Sequence, residues 1–426
     1  MDEAAIADRI VTDVAEDRDA MTDLLLRLVR IPSLGGRPEE VAIQTVLADW
    51  LRTDGFEVDH WRLPLVELSS HPDFPGSEVD RDEAWGVVGR LPGVGGGRDL
   101  MLNGHVDVVP AGDLADWTRC APFHGAVVDD EVIGRGACDM KGGLVAALFA
   151  ARAVARSGIR LPGDLLVACV TGEEDGGLGT FGLLQRGWSA DACVITEPTG
   201  LNLIPANAGA LTFRLVVPGK AAHASRRGLG ASAIERFWPV FAALRDLERR
   251  RNRHVDPLMA DWDIAYPIEV GTVRAGDWVS TVPASLVAEG RLGVALGESM
   301  HDARRELEHA VSDACRADEW LRDNPVRVQW WGGQFAAGSI GDDTTVCDRL
   351  RGRHLAVTGS EPNTWGAPYG SDLRLLTGLG GIPTVQYGPG DIELAHGPNE
   401  SVPVSEVVTA AQVLALTAVD FCSSDR

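Results

Sequence analysis

Two histidines and a series of carboxylates stand where apolar segments end. Leu102-Asn103-Gly104-His105-Val106-Asp107 continues a short apolar run that reads as a buried strand. Residues two apart in an extended chain point to the same side, which puts His105 and Asp107 together. A histidine beside a carboxylate suits a metal ligand whose ring is oriented, and whose tautomer is fixed, by that carboxylate. Asp139 sits among glycines in Gly134-Arg135-Gly136-Ala137-Cys138-Asp139-Met140-Lys141-Gly142-Gly143. Glu173-Glu174-Asp175 follows the apolar run Leu165–Val170, Glu197 follows Ala192–Thr196, and His396 lies in a glycine-rich loop. Three adjacent acids after an apolar strand are costly together unless they share a cation. Two histidines with several carboxylates suit zinc, cobalt or manganese and argue against a thiolate site. With one shared carboxylate, two such ions would lie roughly 3.5–4 Å apart and hold a water between them. A further carboxylate, not itself a ligand, would then serve as general base. A serine nucleophile finds no support, because the chain has no GxSxG.

The elements that must position these groups follow from periodicity. Ile6, Ile10, Val14, Met21, Leu25 and Leu28 recur at helical spacing, predicting one amphipathic helix that ends before Pro32. Residues 38–54 and 144–156 repeat the pattern. Three successive apolar runs end in carboxylates and alternate with helices, which is the doubly wound arrangement with ligands at the carboxyl ends of its strands. From about Asn207 to Asn324 the order becomes β-α-β-β-α, predicting a smaller α+β two-layer domain inserted into the larger one. Residues 1–206 and 325–426 would form the α/β domain, with a mostly parallel sheet flanked by helices, and 207–324 the insertion. The strand Val326–Trp330 is expected to return the chain to the larger domain, followed by a helix near 343–355, a strand at 383–387 and a last helix over 404–421.

Composition narrows the partners. The 426 residues carry 39 basic and 62 acidic side chains, a net charge of −23, which argues against nucleic acid or an anionic membrane as partner. No apolar run in the sequence approaches the roughly 20 residues of a membrane span. Asp2, Glu3 and Asp8 make the N-terminus too acidic for a signal peptide, and seven scattered cysteines without a CxxC suit a reduced, cytoplasmic protein.

Taken together the motifs resemble the co-catalytic metallopeptidase and deacylase family of acetylornithine deacetylase, succinyl-diaminopimelate desuccinylase, aminoacylase and carboxypeptidase G. The matching stretches are GHVDVVP at 104–110, GRGACDMKGG at 134–143, TGEED at 171–175, TEPT at 196–199, GKAAHAS at 219–225, and GPG followed by AHGPNE at 388–400. They occur in the family's order over nearly the whole chain, and the texture is closest to the acetylornithine deacetylase branch. The resemblance implies two divalent metal ions, Zn2+ or Co2+, with His105 and Glu197 on one, Glu174 and His396 on the other, and Asp139 bridging. It implies Asp107 orienting His105, Glu173 as general base, and a cis peptide at Asp139–Met140. It also implies that His223 of the inserted domain steadies the carbonyl oxygen, in dimeric relatives from the neighbouring subunit, and that Arg291 binds a substrate carboxylate. Ser280 stands where many relatives have an asparagine that helps hold substrate, and Gly290 precedes Arg291 where relatives often read Asp-x-Arg.

The resulting expectation is a homodimeric, metal-dependent amidohydrolase that removes an N-acyl group from a small amine or amino acid. A dipeptidase or carboxypeptidase is the rival within the same chemistry. A non-catalytic metal- or ligand-binding relative has no need of Glu173 beside five ligands, and an assembly scaffold would be indifferent to metal.

Overall fold

The computed structural model describes residues 3–425; Asp2, counted above among the N-terminal acids, lies outside them. Two compact units are present. The first comprises Met1–Pro205, Ser339–Trp365 and Asp372–Arg426, and the second Ala206–Gly338 with Gly366–Ser371.

The sheet of the first unit is parallel at its centre. Six of its nine strands run, from one edge, Glu57–Arg62, Trp85–Leu91, Leu165–Val170, Leu100–His105, Ala192–Ile195 and Thr384–Gln386 in spatial order, the last four mutually parallel. Leu100–His105, Leu165–Val170 and Ala192–Ile195 are buried throughout, as expected of parallel strands covered by helices on both faces. Register then decides the site. His105 pairs with Val170 and Asn103 with Ile195, so these strands end level with one another. Glu173–Glu174, His105 and Glu197 therefore leave the sheet along one edge.

One face is covered by Glu3–Glu16, Arg18–Val29, Pro38–Thr53, Gly142–Ser157 and Val404–Cys422, whose buried side chains form one core with the strands. The expected single N-terminal helix is two, separated at Asp17. Val404–Cys422 corrects a second expectation: this 19-residue helix is long and apolar enough to cross a membrane. It is instead a core helix, with Val407, Ala411, Leu414, Ala418 and Phe421 buried in the same cluster as Leu144, Leu148 and Ala151 of Gly142–Ser157.

The second unit is a four-stranded antiparallel sheet in the order Ile268–Ala275, Ser285–Val294, Gly209–Pro218, Arg327–Phe335. Helices Ala233–Arg251 and Met300–Ala317 cover one face, burying Phe237, Leu244, Leu307 and Val311 against Phe213, Leu215 and Leu286. Arg327–Phe335 is thus an edge strand here and does not return the chain to the larger sheet. The sequence misleads because a strand beside a helix reads alike in either sheet, and only pairing with Gly209–Pro218 settles its place.

Candidate metal centre

The bridge of the site is built by a close-packed turn. Gly136 has φ +82°, in the left-handed region that favours glycine, and a Cβ there would lie 2.5 Å from Val108. Gly143 approaches Thr196 so closely that a Cβ would fall 1.7 Å from its carbonyl oxygen. These contacts seat the turn Ala137–Lys141, with its cis Asp139–Met140 peptide, beside the end of Ala192–Ile195.

Asp139 then stands between the two histidines. Its Oδ1 is 3.1 Å from His105 Nε2 and its Oδ2 3.3 Å from His396 Nε2. Glu197 Oε1 lies 4.0 Å from His105 Nε2, and Glu174 Oε2 lies 3.1 Å from His396 Nε2. Ligand atoms of His105, Asp139 and Glu174 all fall within 4.8 Å of one another. His105, Asp139, Glu173 and Glu197 are buried, whereas His396 is exposed.

The tautomer of His105 tests whether a cation suits this place. Nδ1 is 2.9 Å from the main-chain carbonyl of Asp107, which can only accept, so Nδ1 carries the hydrogen. In the neutral ring Nε2 is a lone pair aimed at a carboxylate oxygen, an arrangement that needs a proton or a metal ion between them. Donors spaced 3.1–4.0 Å apart match neighbouring ligands on an ion with bonds of roughly 2.0–2.2 Å. The residues present fit divalent cations.

Electrostatics agree. Burial, with Asp139 and Glu174 nearby, outweighs His105 and pushes the Glu197 carboxyl up to about 8. Burial and Asp372 hold Glu173 well above the usual carboxylate range. Burial opposes charge on His396, yet hydrogen bonds to Asp139 and Glu174 raise it to about 11. The cluster is short of positive charge, and protons fill the deficit that cations would fill.

Several positions differ from the sequence reading in detail. The Asp107 carboxylate does not face His105 within hydrogen-bonding range, its Oδ1 being 3.8 Å from Nδ1. It accepts instead from the main-chain N–H groups of Glu173 (3.3 Å) and Glu174 (3.1 Å), so the backbone carbonyl orients the histidine and the carboxylate orients the acidic turn. Nor do the three adjacent acids share one cation. Asp175 turns away to a buried ion pair with Arg81.

Sequence reasoning missed Arg135 and Glu400, which are fully buried. Glu400 Oε1 accepts from the N–H groups of Cys138 (2.9 Å) and Asp139 (3.0 Å), while its other oxygen pairs with Arg135. Arg135 Nη2 donates to the His396 carbonyl at 3.1 Å. The pair ties the Asp139 turn to the His396 loop; its only sequence signal is that both residues lie inside the motifs. Glu400→Gln is expected to weaken metal binding about 10–100-fold, as loss of an outer partner of metal ligands does. Competition with a chelating dye measures this.

In the second unit His223 and Ser280 lie in adjoining segments, His223 bridging to Thr281 and the Ala224 N–H donating to the Ser280 carbonyl at 2.9 Å. His223 Nδ1 accepts from the Ser225 N–H at 3.2 Å, so the neutral ring presents Nε2–H as an outward donor. Arg291 lies on Ser285–Val294, with its guanidinium 5.5 Å from the Phe335 ring.

Comparison with known proteins agrees with this geometry. The model of peptidase family M20/M25/M40 matches residues 101–420. The chain is 29% identical to N-formyl-4-amino-5-aminomethyl-2-methylpyrimidine deformylase of Bacillus subtilis, over 97% of each chain. It is 31% identical to acetylornithine deacetylase of Myxococcus xanthus, over 78% of this chain and 82% of that one. Among solved structures, the dipeptidase Dug1p of Saccharomyces cerevisiae superposes with a TM-score of 0.78 at 15% identity, covering 99% of both chains. With a family model spanning three quarters of its length and a cluster of histidines and carboxylates able to hold metal, the chain belongs to peptidase family M20/M25/M40.

Proposed function

We propose that the protein is a dinuclear metal-dependent amidohydrolase that removes a small N-acyl group from an amine or amino acid. One observation carries the reading: the Asp139 carboxylate offers one oxygen to each of two histidines, with Glu197 beside the first and Glu174 beside the second. His105, Glu197 and Asp139 would hold one ion, His396, Glu174 and Asp139 the other, with Zn2+ or Co2+ suiting the nitrogen and oxygen donors. When bound, the ions supply Lewis acidity toward the amide carbonyl and acidify water.

The remaining work falls to this chain's side chains. Glu173 takes the proton of the attacking water and returns it to the departing amine nitrogen. His223 Nε2–H, Ser280 and Arg291 belong to substrate, the first as hydrogen-bond donor to the developing oxyanion and the last as a fork for a carboxylate. The similarity to a deformylase and an acetylornithine deacetylase favours a small acyl group over a peptide. The fold shared with a dipeptidase keeps peptide hydrolysis as the alternative. A panel of N-formyl, N-acetyl, N-succinyl and dipeptide substrates tests this. A chelator is expected to abolish turnover and Zn2+ or Co2+ to restore it; full activity with less than one ion per chain would sink the two-metal reading.

The second unit is proposed as a dimerisation and lid domain. Its strand Ile268–Ala275 is a sheet edge, exposed from Gly271 onward, and Val273, Trp278 and Val279 are exposed along this edge and the following turn. Such an edge invites antiparallel pairing with its own copy about a two-fold axis. Sedimentation equilibrium should report a dimer, and a monomer at micromolar concentration would overturn this part.

A further inference from the structure

We propose that a cavity in the first unit, floored by Glu174 and Asp107, is a subsite for an uncharged, apolar group of the substrate. The inference rests on the amidohydrolase reading and names what that site accepts. The cavity measures about 310 Å³, and its walls include Leu34, Val79, Val108 and Pro110. That volume sits at the small end of the roughly 300–1,000 Å³ typical of ligand sites.

Its walls are built, and one buried guanidinium joins them. Asp175, next to Glu174 in the chain, accepts hydrogen bonds from Ser77 Oγ (2.6 Å), the Glu78 N–H (3.0 Å) and the Val79 N–H (3.0 Å). This fixes the segment carrying Val79 to the acidic turn. Arg81 pairs with Asp175 at 2.8 Å and with Glu40 at 3.0 Å. Glu40 in turn accepts the Gly36 N–H at 2.8 Å, which fixes the opposite wall beside Leu34. The walls meet because Gly36, at φ +74°, has no side chain; a Cβ there would lie 2.7 Å from Val79 Cγ1.

Charge sets the class of ligand. Arg81 compensates Asp175, and the cations proposed above would compensate Glu174. The remaining lining charges are Asp107, whose carboxylate is held by the main-chain N–H groups of Glu173 and Glu174, and Arg37 and Glu78, both exposed and of opposite sign. What remains toward the cavity is aliphatic, which favours a neutral hydrocarbon or ring over a carboxylate or ammonium group.

The test uses the metal-loaded full chain and simple amides lengthened on either side of the scissile bond, from methyl to benzyl. In the unaltered protein the benzyl-to-methyl ratio of kcat/KM should rise at least tenfold on one side of the amide only. Leu34→Phe, which fills the cavity, should collapse that ratio through KM, and Val79→Ala should extend it to naphthylmethyl. Melting temperatures check that both variants fold, and either one suffices for the test. Size-independent turnover, or equal loss for methyl and benzyl substrates in Leu34→Phe, overturns the subsite while leaving the amidohydrolase reading standing. If no amide is hydrolysed, the amidohydrolase reading fails, and saturation-transfer NMR with the neutral probes toluene and benzyl alcohol still decides the cavity. Binding of one of them that Leu34→Phe removes supports the subsite, and no binding, or binding unaffected by Leu34→Phe, overturns it.

Discussion

Asp139→Asn is expected to empty both metal positions at once, where His105→Ala or His396→Ala empties mainly one. The reason is geometric. Each oxygen of the Asp139 carboxylate faces a different histidine, at 3.1 and 3.3 Å. An asparagine amide has the same shape but a single acceptor, and its NH2 would point one pair of hydrogens at a site that needs a lone pair. Its neutral amide also removes the negative charge that the two ions would share. The turn itself should survive, because the N–H groups of Cys138 and Asp139 are held by Glu400, which the substitution leaves in place. Metal per chain, measured after dialysis against buffered zinc, should be substoichiometric in this variant with circular dichroism unchanged. Activity should fall further than the roughly 10²–10⁴ that loss of acid–base catalysis alone produces. Retention of the full metal content would show that Asp139 is not shared, and the dinuclear assignment would have to be rebuilt around Glu174.

The parts of this site that were legible in the sequence are those that a strand dictates by itself. Apolar runs bury on both faces, their ends fall level when they pair in parallel, and whatever follows them converges; His105, Glu173, Glu174 and Glu197 needed nothing more. Partners supplied by distant backbone were not legible. The orienting acceptor for His105 proved to be the carbonyl of Asp107, while the Asp107 carboxylate serves the 173–174 turn. Neither choice leaves a trace in residue type or spacing. Asp175 looked like a third member of the acidic cluster because its counter-ion, Arg81, lies 94 residues earlier in the chain. The strand expected at Val326–Trp330 falls in the other sheet, as Arg327–Phe335, for a related reason: strand periodicity states which side is buried, and says nothing about which strand lies alongside.

Glu173→Gln is expected to separate catalysis from metal binding. Glu173 and Glu174 are adjacent in sequence and held by the same Asp107 carboxylate, yet their side chains meet different surroundings. The Glu174 carboxylate is engaged by His396, whereas that of Glu173 makes no hydrogen bond to another described residue. A base must keep its lone pair free for the incoming proton, and Glu173 is the one that does. Burial, followed by the nearby Asp372, holds it well above the usual carboxylate range, which makes it a stronger proton acceptor than a solvated glutamate. Cations bound alongside would oppose that rise, because positive charge nearby favours the ionised carboxylate. Glutamine keeps the volume and the backbone contacts while removing the basic oxygen. The variant should therefore retain its metal and its KM, with kcat lowered by roughly 10²–10⁴. Metal analysis and steady-state kinetics on the same preparation read both quantities together. If the metal leaves with the activity, Glu173 is a ligand, and the base must be sought in Glu174.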